Sequence, residues 1–190
     1  MASTTQPIIS TTLSLSPQIC IEQQPTLTIT LSLNAPAPIT IFTWPGIFNP
    51  SLALRRHNFR LQDVSTEPPT PIHLEIIKGP RRPGFSRRKN NSDEKYYVTL
   101  YPGMDLEIQY PFLIMHRNMP GTGLPRFQVG HRYRFGITDE ETVKSWWWGT
   151  RDDVLLDDDD DEPYDDREAA RGEIPIDIHA DPIEFVVMEA

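Results

Sequence analysis

The run Asp157–Asp161 in "LLDDDDDEPYDDRE" spaces carboxylates as a calcium loop would. With Asp157 first, Asp159, Asp161, Asp165 and Glu168 fall at the third, fifth, ninth and twelfth positions. Such a loop turns on glycine at its sixth position, which here is Glu162, and Pro163 follows. No helix-period pattern flanks it. The run therefore reads as solvated and self-repelling, with 157–172 disordered, and no metal is expected. A second group is "KGPRRPGFSRRKNN", in which Lys78, Arg81, Arg82, Arg87, Arg88 and Lys89 surround Phe85 without an acidic residue. Cations beside an aromatic suit phosphates or an acidic protein surface. They equally suit a solvated hairpin loop that keeps strand edges from self-pairing. The formal net charge of −9 and the lack of a nucleic-acid module argue against nucleic acid.

Other catalytic and ligand patterns are missing. His57, His73, His116, His131 and His179 show no metal spacing, and the single cysteine, Cys20, excludes an intrachain disulfide. There is no Gly-x-Ser-x-Gly elbow, and "PGTGLP" has no lysine or helix behind it for phosphate binding. The chain is read as non-enzymatic and without cofactor. Charge is divided along it: residues 1–138 carry 14 basic and 8 acidic side chains, and 139–190 carry 4 and 19. One part can attract the other, or the two can face different partners.

Three tryptophans, Trp146, Trp147 and Trp148, lie between these groups. In an extended segment Val143, Ser145 and Trp147 share a face opposite Lys144, Trp146 and Trp148. In a short helix capped by Thr138 and Glu141, Val143 and Trp147 still coincide. Both conformations bury Trp147 first, so Trp146 and Trp148 need a cover, from a strand edge, the arginine-rich loop or another molecule. The expected partner-binding residues are thus Arg81, Arg82, Phe85, Arg87, Arg88, Trp146 and Trp148, with both charged loops unpaired in the free protein.

The elements that must position them are strands. "TLTITLSL" alternates Leu27, Ile29, Leu31 and Leu33 with hydroxyl residues, and "ITIFTW", Ile39 to Trp44, after the "NAPAP" turn predicts its antiparallel partner. Further strands are predicted at 11–16, 58–64, 72–77, 95–100, 105–114, 131–138 and 183–189, with one helical turn started by Asn49 and Pro50. With 19 prolines and 10 glycines, and no helix-period segment of length, the chain reads as all-β. Neither a signal peptide nor a membrane span is expected.

"LTITLSLNAPAPITIFTW", "NFRLQDVST", "VTLYPGMDLEIQYPF", "GHRYRFGIT" and "PIEFVVME" together resemble the immunoglobulin-like and fibronectin-like sandwiches, nearest to the intracellular proteinase inhibitor type of bacilli. The combination of "ALRR", "GHRYRFG" and "WWWGT" resembles uncharacterised proteins of filamentous fungi, which implies no activity. The first resemblance implies a single antiparallel immunoglobulin-like β-sandwich of about nine strands over 1–190. On that frame 1–8 is a flexible N-terminus, 78–94 a basic loop and 139–180 a long acidic insertion. The expected role is a non-enzymatic protein-binding or scaffolding module of cytoplasm or nucleus, off the membrane. The alternatives are an intracellular protease inhibitor, or an enzyme or small-molecule carrier with its site between the sheets.

Overall fold

The computed structural model describes residues 6–20, 25–44, 46–54, 56–72, 84–112, 127–157 and 174–189. Among them the fold is all-β. The strands are β1 (Ile8–Ser14), β2 (Gln18–Cys20), β3 (Thr26–Asn34), β4 (Ile39–Phe42), β5 (Phe59–Asp63), β6 (Thr70–Ile72), β7 (Tyr97–Leu100), β8 (Asp105–Pro111), β9 (Arg132–Ile137), β10 (Thr142–Val143), β11 (Trp146–Trp148), β12 (Ile176–Asp177) and β13 (Ile183–Met188). Two short helices, α1 (Pro50–Ala53) and α2 (Arg151–Val154), accompany them. No helix of the described residues is long and apolar enough to cross a membrane.

These strands divide among the sheets β1-β3-β8, β11-β4-β7 and β2-β13-β9-β5-β6, with β10 and β12 as a separate pair. The alternation read in β3 holds: Leu27, Ile29, Leu31 and Leu33 are buried. Its predicted partner is not. β3 pairs with β1 and β8, while β4 pairs with β7 and β11. Hydrophobic alternation specifies which face is inward but not which neighbour lies alongside. The connection departs from a hairpin because β3–β4 and β7–β8 form one bent ribbon: Ser32 faces Asp105 before the bend and Ile39 faces Leu100 after it. Residues 33–38 are opposed there by only 101–104, and unequal lengths at a corner turn a ribbon from one sheet into the next.

The five-stranded sheet closes over this ribbon through aromatic contacts. Phe112, just after β8, meets Phe135 of β9 edge-on at 5.3 Å and Phe185 of β13 at 6.0 Å, while Phe135 stacks on Phe59 within the sheet at 4.8 Å. One hydrophobic cluster runs from Ile9 of β1 to Val187 of β13. The predicted helical turn forms at Pro50, whose fixed φ and missing N–H suit the first helical position.

Ile8 lies in a strand, and residues 158–172 of the stretch expected to be disordered lie outside the described residues. β1 already begins at Ile8, and the Gln6 side chain donates to the Pro175 carbonyl at 3.2 Å. The 139–180 insertion contains β10, β11, α2 and β12.

β11 corrects the tryptophan order. Trp146, 6% exposed, is the buried one; Trp147 is half-buried, and Trp148 is 39% exposed. The alternation itself is right, for the Trp146 and Trp148 rings meet edge-on at 5.5 Å. The error lies in carrying parity forward from Val143 and Lys144. Val143 belongs to β10, which pairs with β12, and the chain breaks at Lys144 and Ser145 before β11 begins. Trp146 also donates Nε1–H to the Ile174 carbonyl at 3.0 Å, so its polar atom is satisfied. The expected outcome is that Trp146→Ala lowers unfolding free energy in urea by about 3–5 kcal/mol, and Trp148→Ala by about 1 kcal/mol or less. Equal losses would contradict this placement.

Candidate functional site

The sheet β11-β4-β7 is covered on both faces. Ile39, Ile41 and Trp146 point into the core. On the opposite face lies the row Trp147, Thr40, Thr99, with Phe42 beside Tyr97 in the next rung. Such a face on a three-stranded sheet would ordinarily be wet, yet Thr40 is fully buried. Its hydroxyl reaches the Gly149 carbonyl at 3.0 Å and lies 3.2 Å from that of Thr99. The cover comes from the chain after Pro83. Phe85 meets Phe42 at 4.8 Å and Trp44 at 5.3 Å, and Tyr96 meets Trp44 at 4.7 Å. Tyr97 continues the group to Trp147 at 5.7 Å. The Arg87 guanidinium lies 5.7 Å above the Trp147 ring, a cation–π contact of about 0.5–1 kcal/mol at a partly exposed site.

The described end of the basic stretch is also tied to the start of the acidic one, contrary to the expectation of two unpaired loops. Leu156 N–H donates to the Arg87 carbonyl at 2.9 Å and Lys89 N–H to the Leu156 carbonyl at 2.8 Å. Around this bridge Lys89 Nζ meets Asp157 Oδ1 at 2.9 Å, and Arg88 donates to the Asp157 carbonyl at 3.3 Å. Surface ion pairs alone, worth about 0–1 kcal/mol each, would not order two loops. Here Val154 and Leu155 are buried and Asp153 caps α2 through Thr150, so the backbone is already fixed where the charges meet. These hydrogen bonds from the Thr150 hydroxyl and N–H also hold the exposed Asp153 carboxyl below its ordinary pKa.

The site residues read from the sequence therefore separate. Phe85 is half-buried in the aromatic group rather than at a loop tip, because Phe42, Trp44 and Tyr96 offer it apolar contact. Arg87 covers Trp147, Arg88 and Lys89 face Asp157, and Trp146 is core. Arg81 and Arg82, like the carboxylates after Asp157 in the calcium reading, lie outside the described residues. Trp148 is the member that stays open. Ile174, 58% exposed, follows it in space through the bond from Trp146 to the Ile174 carbonyl. Gln6 reaches the next carbonyl, Pro175, and Ile8 at the start of β1 is 57% exposed. Trp148, Ile174 and Ile8 are thus three of the large apolar side chains left exposed among the described residues.

Two polar groups escaped the sequence reading. Glu141, there a capping partner of Thr138, turns inward instead. It is buried and accepts Ile47 N–H at 3.0 Å and Asn58 Nδ2–H at 2.6 Å. Above it a cavity of about 290 Å³ is lined by Arg56, His57, Asn58, Thr138 and Lys144 among others, on the loops rather than between the sheets. The other group is Asp63 at the end of β5, 2.7 Å from Nδ1 of His131, the residue before β9. Burial works to raise the Asp63 pKa. The hydrogen bond from His131, that from Ser65 N–H at 2.9 Å and the attraction of His131 outweigh it, leaving the carboxyl below its ordinary range. The pair pins the turn after β5 to β9, where Arg132 N–H donates to Ser65 Oγ at 2.7 Å. No cluster of three metal-ligating side chains occurs among the described residues. Spacing could have revealed neither pair, since 68 residues separate Asp63 from His131 and 94 separate Ile47 from Glu141.

Comparison of the chain with protein-family models and with curated proteins finds no match.

Asp63 gives a pH test. Its folded pKa is depressed, so its contribution is complete above the unfolded value and is lost as pH falls through the folded one. Asp63→Asn is expected to cost roughly 1–3 kcal/mol at neutral pH. Chemical denaturation at stepped pH should show the gap to the parent closing below about pH 4. A gap unchanged down to about pH 2 would assign the loss to packing instead.

Proposed function

We propose that the chain is a single immunoglobulin-like β-sandwich acting as a non-enzymatic protein-binding or scaffolding module of the cytoplasm or nucleus. The observation that carries this reading is Trp148, whose indole is open at the end of a three-residue strand and backed by the buried Trp146. A large apolar ring fixed in place by the ring behind it loses little entropy on docking, which is why tryptophan is frequent among binding anchors. The arginine-rich stretch, by contrast, serves the fold at Arg87 and Lys89. The single cysteine supports the intracellular setting.

The cavity over Glu141 favours a second reading, a carrier of a small polar molecule, with Arg56, His57 and Lys144 at its walls. A protease-inhibitor role, implied by the resemblance in the strand and turn motifs, would make the partner a protease.

The test places a photo-crosslinking phenylalanine analogue at position 148, 174 or, as a distant exposed control, 181, in otherwise intact protein. One protein captured from 148 and 174 but not from 181, and lost with Trp148→Ser at constant melting temperature when the analogue is at 174, is the expected result. Its identity separates scaffold from inhibitor. Equal capture from all three positions would remove Trp148 as the anchor.

A further inference from the structure

β8 is an edge strand whose chemistry specifies its partner. Among the described residues it pairs with β3 alone, over its full length from Asp105 to Pro111. The direction of its free backbone groups follows from the register. Phe112 N–H donates to the Pro25 carbonyl at 2.7 Å, continuing the ladder in which Tyr110 faces Leu27, Ile108 faces Ile29 and Leu106 faces Leu31. In an antiparallel pair, residues that exchange hydrogen bonds alternate with residues whose N–H and C=O point away. The even-numbered residues Leu106, Ile108 and Tyr110 are therefore turned to β3, and the odd-numbered Asp105, Glu107 and Gln109 present their N–H and C=O outward. Pro111 has the outward parity too, where its missing N–H breaks no internal bond, as is usual for proline on an edge.

The side chains define what could pair there. Leu106, Ile108 and Tyr110 are half-buried on the core side, and Tyr101 and Met104 lie exposed at the corner leading into the strand, Met104 at 64%. On the other face Asp105, Glu107 and Gln109 are exposed. Their neighbours across β3 are Ser32, Thr30 and Thr28, and across β1 Ser10, Thr12 and Ser14. This outer face of the sheet therefore carries two carboxylates and no cation; the Ser32 hydroxyl donates to Asp105 but brings no charge. A second copy of the same edge would set carboxylates against carboxylates within one Debye length, which disfavours self-pairing. β1, the opposite edge of this sheet, has β12 alongside it. β2, β6 and β11 are only three residues long.

We propose that β8 is a strand-addition site for an extended segment of a partner protein that alternates basic with apolar residues. Main-chain bonds to Asp105, Glu107, Gln109 and the Pro111 carbonyl would hold it. Its basic side chains would stand over Asp105 and Glu107, and its apolar ones would continue the Leu106, Ile108, Tyr110 row towards Met104. This rests on the protein-binding reading but on a different surface from Trp148, so either can fail alone.

The probe is a synthetic peptide alternating arginine and valine, as long as β8, against the same peptide with glutamate for arginine. With the full chain, the arginine peptide should bind and slow amide exchange at Glu107 and Gln109, and the glutamate peptide should not. Gln109→Pro removes an outward N–H and should weaken binding at least about tenfold. As proline could disturb the strand, Asp105→Asn with Glu107→Gln serves as the milder variant. It should weaken binding about tenfold and remove most of its salt dependence. Equal binding of both peptides, protection confined to residues outside β8, or undiminished binding by both variants would overturn the proposal. A dimer protected at the same amides would replace it with self-association.

Discussion

Burial of both faces of β11-β4-β7 is the constraint on which most of the remaining structure depends. Trp146, Ile39 and Ile41 fill its inner side, while Phe42, Tyr97 and Trp147 line the outer one. A three-stranded sheet with that outer surface needs a lid, and the chain supplies it by folding Phe85 and Arg87 down onto the aromatic rings. Once Arg87 is in place, its carbonyl can accept Leu156 N–H, which sets Asp157 beside Lys89. The pairing of opposite charges at Lys89 and Asp157 is thus a consequence of aromatic burial. The order of cause matters, because the ion pair by itself is too weak to create the arrangement.

Much of this was legible in the chain's alternation and some of it was not. β3, β8 and β9 announce themselves by period two, and Pro50 marks the first turn of α1. The partner of β3 was misjudged because a turn such as "NAPAP" reads the same whether the chain doubles back or rounds a corner into another sheet. The face of Trp146 was misjudged because parity does not survive the break at Lys144 and Ser145. The Asp63–His131 contact and the inward Glu141 join residues far apart in sequence, which no local pattern encodes. Pro111 was a usable signal that went unread: proline inside an alternating run points to an edge strand.

Where the two charged stretches are described, at Arg87 to Lys89 and at Asp157, they meet each other. Arg87 lies over Trp147 and Lys89 meets Asp157. Among the described residues, Trp148 is an exposed aromatic and the β8 edge carries exposed carboxylates.

The most direct test of this ordering is native-state hydrogen exchange at the Leu156 and Lys89 amides, which are donors in the bridge between the basic and acidic segments. The account predicts protection of both, lost in Phe85→Ala because the lid no longer seats, while β3 amides in the same variant remain protected. Exchange of Leu156 and Lys89 in the parent protein at the rate of an unstructured peptide would show that the charged segments are not docked, and would contradict it.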